Sequence, residues 1–237
     1  MLQSIKQLYG EKLGASDGEI GHVKDFYFDD RNWAVRYLVA DTGNWLTGRE
    51  VLLSPHAIGS LYEDGKVLLV NLTRKQIENC PAIESHKPVS RQYEEDYYKY
   101  YGWPSYWQGD GLWGMSSFPI LTAPPKTFLD EKIAAHIEKH KRADAHLRST
   151  QAVKGYNIEA TDGTIGHVTD FMMDKESWAI RSLVVKTGHR FSGNEVQIPV
   201  NKVDRVSYEK STAFVNLTKE AVEQSPARQA TSFSAVT

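Results

Sequence analysis

Residues 16–43 run SDGEIGHVKDFYFDDRNWAVRYLVADTG, and residues 161–188 run TDGTIGHVTDFMMDKESWAIRSLVVKTG. The two stretches align without a gap at an offset of about 145 residues, and the register extends outward from Leu2/Leu147 to Ala82/Ala227. About 30 of some 80 aligned positions are identical, which marks a duplication. A period this long is too long for a solenoid and suits a repeated small domain. The chain of 237 residues therefore divides into a first repeat over 1–84, a linker over 85–146, a second repeat over 147–229 and a tail over 230–237.

Short strands dominate each copy. Asp17-Gly18 and Asp162-Gly163 are turn dipeptides that close hairpins. A strand is expected over residues 19–29, with a bulge or tight bend where the alternation slips at Gly21-His22 and, in the second copy, Gly166-His167. Residues 33–40 alternate, with Trp33, Val35, Tyr37 and Val39 on one face. Further strands are expected over 50–53, 58–63 and 67–72, the last two joined at Asp64-Gly65. A short helix ends each copy. Thr73 and Gln76 form a capping box, Thr218 caps its counterpart, and Pro81 and Pro226 stop both. About six strands and a helix in some 80 residues predict a small, mainly β barrel, too small to be stable without burying further surface.

Composition narrows the function. The 28 Lys+Arg against 30 Asp+Glu give a formal charge of −2, without the positive excess that phosphate backbones require. One cysteine, Cys80, excludes a disulfide framework and a cysteine-rich metal cluster. No apolar run reaches the roughly 18 residues of a membrane span, and no signal peptide is visible, so a cytoplasmic protein is expected.

The repeated residues Gly18, Ile20, Gly21, Val23, Asp25, Trp33, Arg36, Leu38 and Val39, with their second-copy counterparts, resemble the PRC-barrel family. That barrel occurs in the cytoplasmic domain of the photosynthetic reaction-centre H subunit and at the end of a ribosome-maturation factor. The resemblance covers both repeats and implies two tandem barrels that bind rather than catalyse, docking on a membrane complex or a ribosomal protein. The chain shows neither the transmembrane helix of the first relative nor the partner domain of the second, so neither role carries over directly, and the tandem arrangement with an aromatic linker resembles the uncharacterised two-barrel proteins common in bacteria.

Several residues carry candidate chemistry. His22/Asp25 and His167/Asp170 could make a general base or a ligand pair. Residues three apart on a strand face opposite ways unless a bulge intervenes, however, and no nucleophile or third ligand accompanies them. The signature Gly18, Gly21, Asp25, Trp33, Arg36 and Glu50, with Gly163, Gly166, Asp170, Trp178, Arg181 and Glu195, is expected to serve the fold. Within it, Arg36 and Arg181 are expected to pair with Glu50 and Glu195 across neighbouring strands. No catalytic residue, metal or cofactor is expected.

The linker is unusual. Tyr93, Tyr97, Tyr98, Tyr100, Tyr101, Trp103, Tyr106, Trp107 and Trp113 are half of the 12 Tyr and 6 Trp in the chain. Such side chains dominate interfaces, and Tyr97, Tyr100, Tyr101, Trp103, Tyr106, Trp107 and Trp113 are the candidate contacts. The arm either folds over its own barrels or docks on another chain, most simply in a homodimer. Glu94-Glu95-Asp96 disfavours stacking on nucleic acid. A helix is expected near 128–147, with Leu129, Ile133 and Ile137 on one face; His136 and His140 share ligand spacing beside a basic cluster, but a solvated face is expected there. The expected function is a non-catalytic protein-interaction module. The alternatives are a peripheral subunit of a photosynthetic or electron-transfer membrane complex, and a hydrolase or metal protein using the His/Asp pairs.

Overall fold

The computed structural model describes residues 1–58, 67–80, 89, 91–121, 147–188 and 193–227. The expected helix near 128–147, its His136 and His140, the Asp64-Gly65 turn, Pro81 and the tail lie outside the described residues. The first copy supplies β1 (Leu2–Ser4), β2 (Lys12–Ala15), β3 (Gly18–Asp29), β4 (Ala34–Asp41), β5 (Glu50–Leu53) and β6 (Val67–Leu69). The second supplies β7 (Leu147–Ser149), β8 (Asn157–Ala160), β9 (Gly163–Asp174), β10 (Ile180–Thr187), β11 (Glu195–Pro199), β12 (Val203–Ser207) and β13 (Thr212–Val215). The helices are α1 (Arg74–Glu78), α2 (Arg91–Tyr101), α3 (Thr150–Val153) and α4 (Lys219–Glu223).

The strands form two sheets, ordered β5-β4-β3-β2-β6 in the first barrel and β11-β10-β9-β8-β13-β12 in the second. The first barrel buries Leu13, Ile20, Val23, Phe26, Phe28, Leu38, Leu52 and Ile77, and the second buries Ile158, Val168, Phe171, Met173, Leu183, Val185, Ile198 and Val222. Each such side chain is worth about 1.5–3 kcal/mol when fully removed from water. Gly21 is fixed by a close approach: a Cβ there would lie 1.9 Å from the Asp41 carbonyl oxygen, and at Gly166 2.1 Å from that of Lys186. The bulge expected beside these glycines is present, since the register slips between Leu13 and Gly14 and again between Ile158 and Glu159.

The compact units do not follow the boundaries of the repeats. One is Leu8–Ser149 with Lys175–Ala179; the other is Met1–Gln7, Thr150–Asp174 and Ile180–Thr237. Strand β3 pairs with β2 over its first half, and its second half pairs with β7, Tyr27 opposite Ser149 and Asp29 opposite Leu147. Strand β9 is completed by β1 in the same register, Met172 opposite Ser4 and Asp174 opposite Leu2. Each repeat therefore lends its opening strand to the other barrel. The divisions at 84 and 147 describe the duplication in the sequence, whereas the folded units interleave.

Asp25 and Asp170 lock these borrowed strands. Asp170 accepts the Ser4 hydroxyl at 2.5 Å, the Lys6 amide at 2.9 Å and the Phe171 amide at 2.8 Å. Asp25 accepts the Ser149 hydroxyl and, at 2.7 Å, the Phe26 amide. Asp17 and Asp162 also recur for a local reason, accepting the first helical amides, Arg74 at 2.7 Å and Lys219 at 2.8 Å. The capping box of Thr73 with Gln76 is complete, and the Thr218 hydroxyl accepts the Ala221 amide.

Two strand expectations are corrected. Trp33 precedes β4 in a left-handed turn at φ 51°, and Trp178 repeats it at φ 59°. Strand β4 is buried from Ala34 through Ala40, because its outer face is also covered. The hairpin loop is Ser16-Asp17, one residue earlier than the turn dipeptide suggested, with Gly18 already paired to Ala15.

The exchange predicts a crossed effect. Ser4→Ala should lower the stability of the second barrel by about 1.5–3 kcal/mol, the range for a hydrogen bond to a charged group, and Ser149→Ala should do so for the first. Amide exchange read separately over β8–β13 and β2–β6 distinguishes the two. Loss of protection confined to the mutated strand's own repeat would refute the exchange.

Candidate interaction site

The outer face of the first barrel is filled by residues 91–121. Tyr93, Tyr97 and Tyr101 recur at four-residue spacing, with Tyr98 beside them, so one face of α2 is aromatic and buried while Glu95 and Lys99 stay exposed. The helix ends in a Schellman motif. Gly102 is left-handed at φ 69°, its amide donates to the Lys99 carbonyl at 3.2 Å, and the Trp103 amide donates to that of Tyr98 at 3.0 Å. This aromatic helix was not anticipated from sequence, although the i, i+4 pattern was visible.

Specific bonds seat α2 on β4 and β5. The Tyr97 hydroxyl receives the Ser54 amide at 3.1 Å and donates to the Leu52 carbonyl at 2.9 Å. Tyr100 and Tyr101 donate to the Gln76 carbonyl at 3.3 and 3.4 Å. Glu94 is fully buried; one of its oxygens accepts Tyr37 at 3.1 Å and Tyr106 at 2.6 Å, and the other lies 3.1 Å from the Arg91 guanidinium. Burial, with the Glu94 charge as the second cause, pushes the Tyr37 and Tyr106 hydroxyls far up, so both remain donors.

Arg36 holds the strap that follows α2. The β3–β4 register slips between Tyr27 and Phe28, so Arg36 is bulged out of the ladder and re-aimed. Its fully buried guanidinium donates to the Leu112 carbonyl at 2.6 Å and sits 3.4 Å from Asp29. The Tyr106 ring lies 3.9 Å and the Trp113 ring 5.0 Å from its central carbon. The Trp113 indole donates to the Ser177 carbonyl at 2.8 Å. Burial would raise the Asp29 carboxyl, but the Arg31 amide and the Arg36 charge outweigh it and hold it below its ordinary range.

These contacts decide where each anticipated residue sits. Tyr97, Tyr101, Trp103, Tyr106 and Trp113 are interior, and Tyr100 and Trp107 are half-buried. The arm packs on the first barrel. The Arg36–Glu50 pairing is corrected: the bulge turns Arg36 to Asp29, and Glu50 pairs with Lys24. Glu195 accepts the Thr169 hydroxyl at 3.2 Å, while Arg181 is exposed. A second slip, between Val23 and Asp25, places Lys24 as the extra residue. His22 is exposed, and Asp25 is engaged by Ser149.

His56 was missed. It is buried, stacked on Trp103 with ring centroids 5.7 Å apart, and set edge-on to Trp113 and Tyr98. Its Nδ1 donates to the Ile120 carbonyl at 2.8 Å, and its Nε2 is buried without a partner among the described residues. The signal lay in subtracting one repeat from the other: Tyr37, Leu52, Ser54 and His56 correspond to Ser182, Gln197, Pro199 and Asn201. The two copies differ where the arm lands.

Burial, reinforced by the Arg36 charge, lowers the His56 pKa against the opposing pull of the Ile120 bond. The unfolded chain takes up a proton near pH 6.5 that the folded chain refuses, so this contribution to stability is present above that pH and is lost as the pH falls below it. As the pH falls from 7 to 5 the unfolding free energy should therefore fall, with a slope from this one group of at most about 1.4 kcal/mol per pH unit. His56→Gln, which keeps a donor for Ile120, should flatten that slope in urea titrations; an unchanged slope would remove His56 as its source.

Among the described residues no helix is long and apolar enough to cross a membrane. No curated protein matches the chain. The PRC-barrel domain matches it twice, over residues 6–77 and 152–222, once in each repeat. Domains of this kind are generally protein-interaction modules and form a non-catalytic family. With both copies matched over more than half its length, the chain belongs to the PRC-barrel family.

Proposed function

We propose that the protein is a non-catalytic module whose barrels bind polypeptide segments on their outer faces. One observation carries this. The first barrel already holds such a segment, gripping the Leu112 carbonyl with Arg36 and closing over it with Tyr106 and Trp113. The contacts are those by which a partner chain would be held: a main-chain carbonyl, a stacked guanidinium and aromatic anchors. The carboxylates of the two His/Asp pairs are engaged in holding borrowed strands, which supports a binding role over a catalytic one.

If the strap is a bound segment, weakening its grip should release it locally. Arg36→Ala should raise amide exchange at residues 105–121 by tenfold or more, about 1.4 kcal/mol of lost local protection, while β2 to β5 keep theirs. Arg36→Lys should fall between, because it keeps the charge and loses the planar stack. Unchanged exchange in the strap, or simultaneous loss across the barrel, would make residues 105–121 ordinary core and remove this support.

Self-association is a second reading, favoured by a separate observation. Met115, Phe118, Ile120 and Leu121 expose 92%, 51%, 49% and 55% of their surface within seven residues. A homodimer closed through this apolar stretch should appear as a doubled light-scattering mass that Phe118→Ser with Leu121→Ser halves. A wild type that stays monomeric at high concentration would dismiss it.

A further inference from the structure

The device that aims Arg36 is built a second time. In β9–β10 the register slips between Ile180, opposite Met173, and Ser182, opposite Met172, so Arg181 is bulged out of β10 as Arg36 is out of β4. In the first barrel the bulged guanidinium is buried against a main-chain carbonyl and two rings. In the second it is exposed to solvent. The carboxylate corresponding to Asp29 is Asp174, and the Met1 ammonium lies 3.3 Å from it.

The surrounding face differs between the two barrels. Ser182 donates to Gln197 at 3.1 Å where Tyr37 and Leu52 stand in the first barrel, and Pro199 and Asn201 are exposed where Ser54 and His56 are buried. The seats that hold the aromatic helix in the first barrel have no counterpart here, while the arginine that holds the strap does. A face with that pattern suits a short extended segment and has no place for an apolar helix.

We infer that the face around Arg181 is a docking site for an extended segment of a partner protein. The segment offers a main-chain carbonyl to the guanidinium and lays an aromatic ring over it, with polar flanks against Ser182, Gln197 and Asn201. The occupant is specified by the sister barrel, where this chain's own strap makes those contacts on the equivalent arginine. An acidic residue in the segment would add charge complementarity to the exposed cation, and the strap sequence carries one, Asp110. The site rests on the polypeptide-binding function proposed above and assigns it to one face of the second barrel.

The probe is a labelled synthetic peptide of residues 105–116, SYWQGDGLWGMS, titrated with the full chain and followed by fluorescence anisotropy. Saturable binding of one peptide per chain is expected, weakened at least tenfold by Arg181→Glu and less by Arg181→Lys. Replacing the peptide's own Tyr and Trp residues with Ser should weaken it comparably. Binding indifferent to Arg181→Glu would place the peptide elsewhere and overturn the site, as would no saturable binding up to about 1 mM. Either failure leaves the proposed function standing if Arg36→Ala frees the strap; a strap that ignores Arg36→Ala removes that function itself.

Discussion

A long strand with half of one edge unpaired is the constraint from which the rest follows. Strand β3 has twelve residues, yet β2 pairs only with its beginning, so the stretch from Tyr27 to Asp29 would carry unsatisfied amides and carbonyls. Strand β7 fills that edge, and β1 fills the same edge of β9. Three residues make a weak strand, and the Ser149–Asp25 and Ser4–Asp170 bonds hold each one in register. A barrel of about 80 residues is marginal alone. Lending strands makes each repeat part of its sister's stability, which favours keeping both in one chain.

Much of this was legible in the sequence, and the limits have physical causes. The repeat, the barrel class, the bulge beside Gly21 and both helix caps depend on neighbours close in the chain, so local patterns reported them. The partner of Arg36 did not, because a bulge moves a side chain off the face that strict alternation assigns. Trp33 failed similarly: a left-handed tryptophan is rare, and its β-favouring side chain argued for the strand it in fact precedes. The destination of β1 was invisible, since a three-residue strand pairing with residues about 170 positions away leaves no periodic trace. His56 was recoverable without structure, through the positions where the two copies disagree.

Those disagreements separate two kinds of repeated residue. Gly21/Gly166, Asp25/Asp170 and Trp33/Trp178 sit in matching geometry in both barrels, so the fold accounts for their recurrence. Arg36 and Arg181 share a bulge and little else: one is enclosed by rings and a carboxylate, the other is hydrated. The barrel geometry therefore requires the projection at this position and leaves open what meets it.

What meets Arg36 has become difficult to remove. A guanidinium taken wholly out of water is tolerated because Asp29, the Leu112 carbonyl and two ring faces together replace most of its hydration, its Nε being left without a partner among the described residues. Losing any one of them leaves a buried charge with incomplete compensation, which costs more than the lost contact is worth. Glu94 is bound by the same logic to Arg91, Tyr37 and Tyr106, and Tyr106 touches both clusters. The first barrel's face is thereby tied to its own arm, since a substitution in the strap disturbs two buried charges. Arg181 carries no such debt. Exposed to solvent, it could gain or lose a ligand without stranding a charge in the core, which is the property the proposed docking role requires of the second barrel.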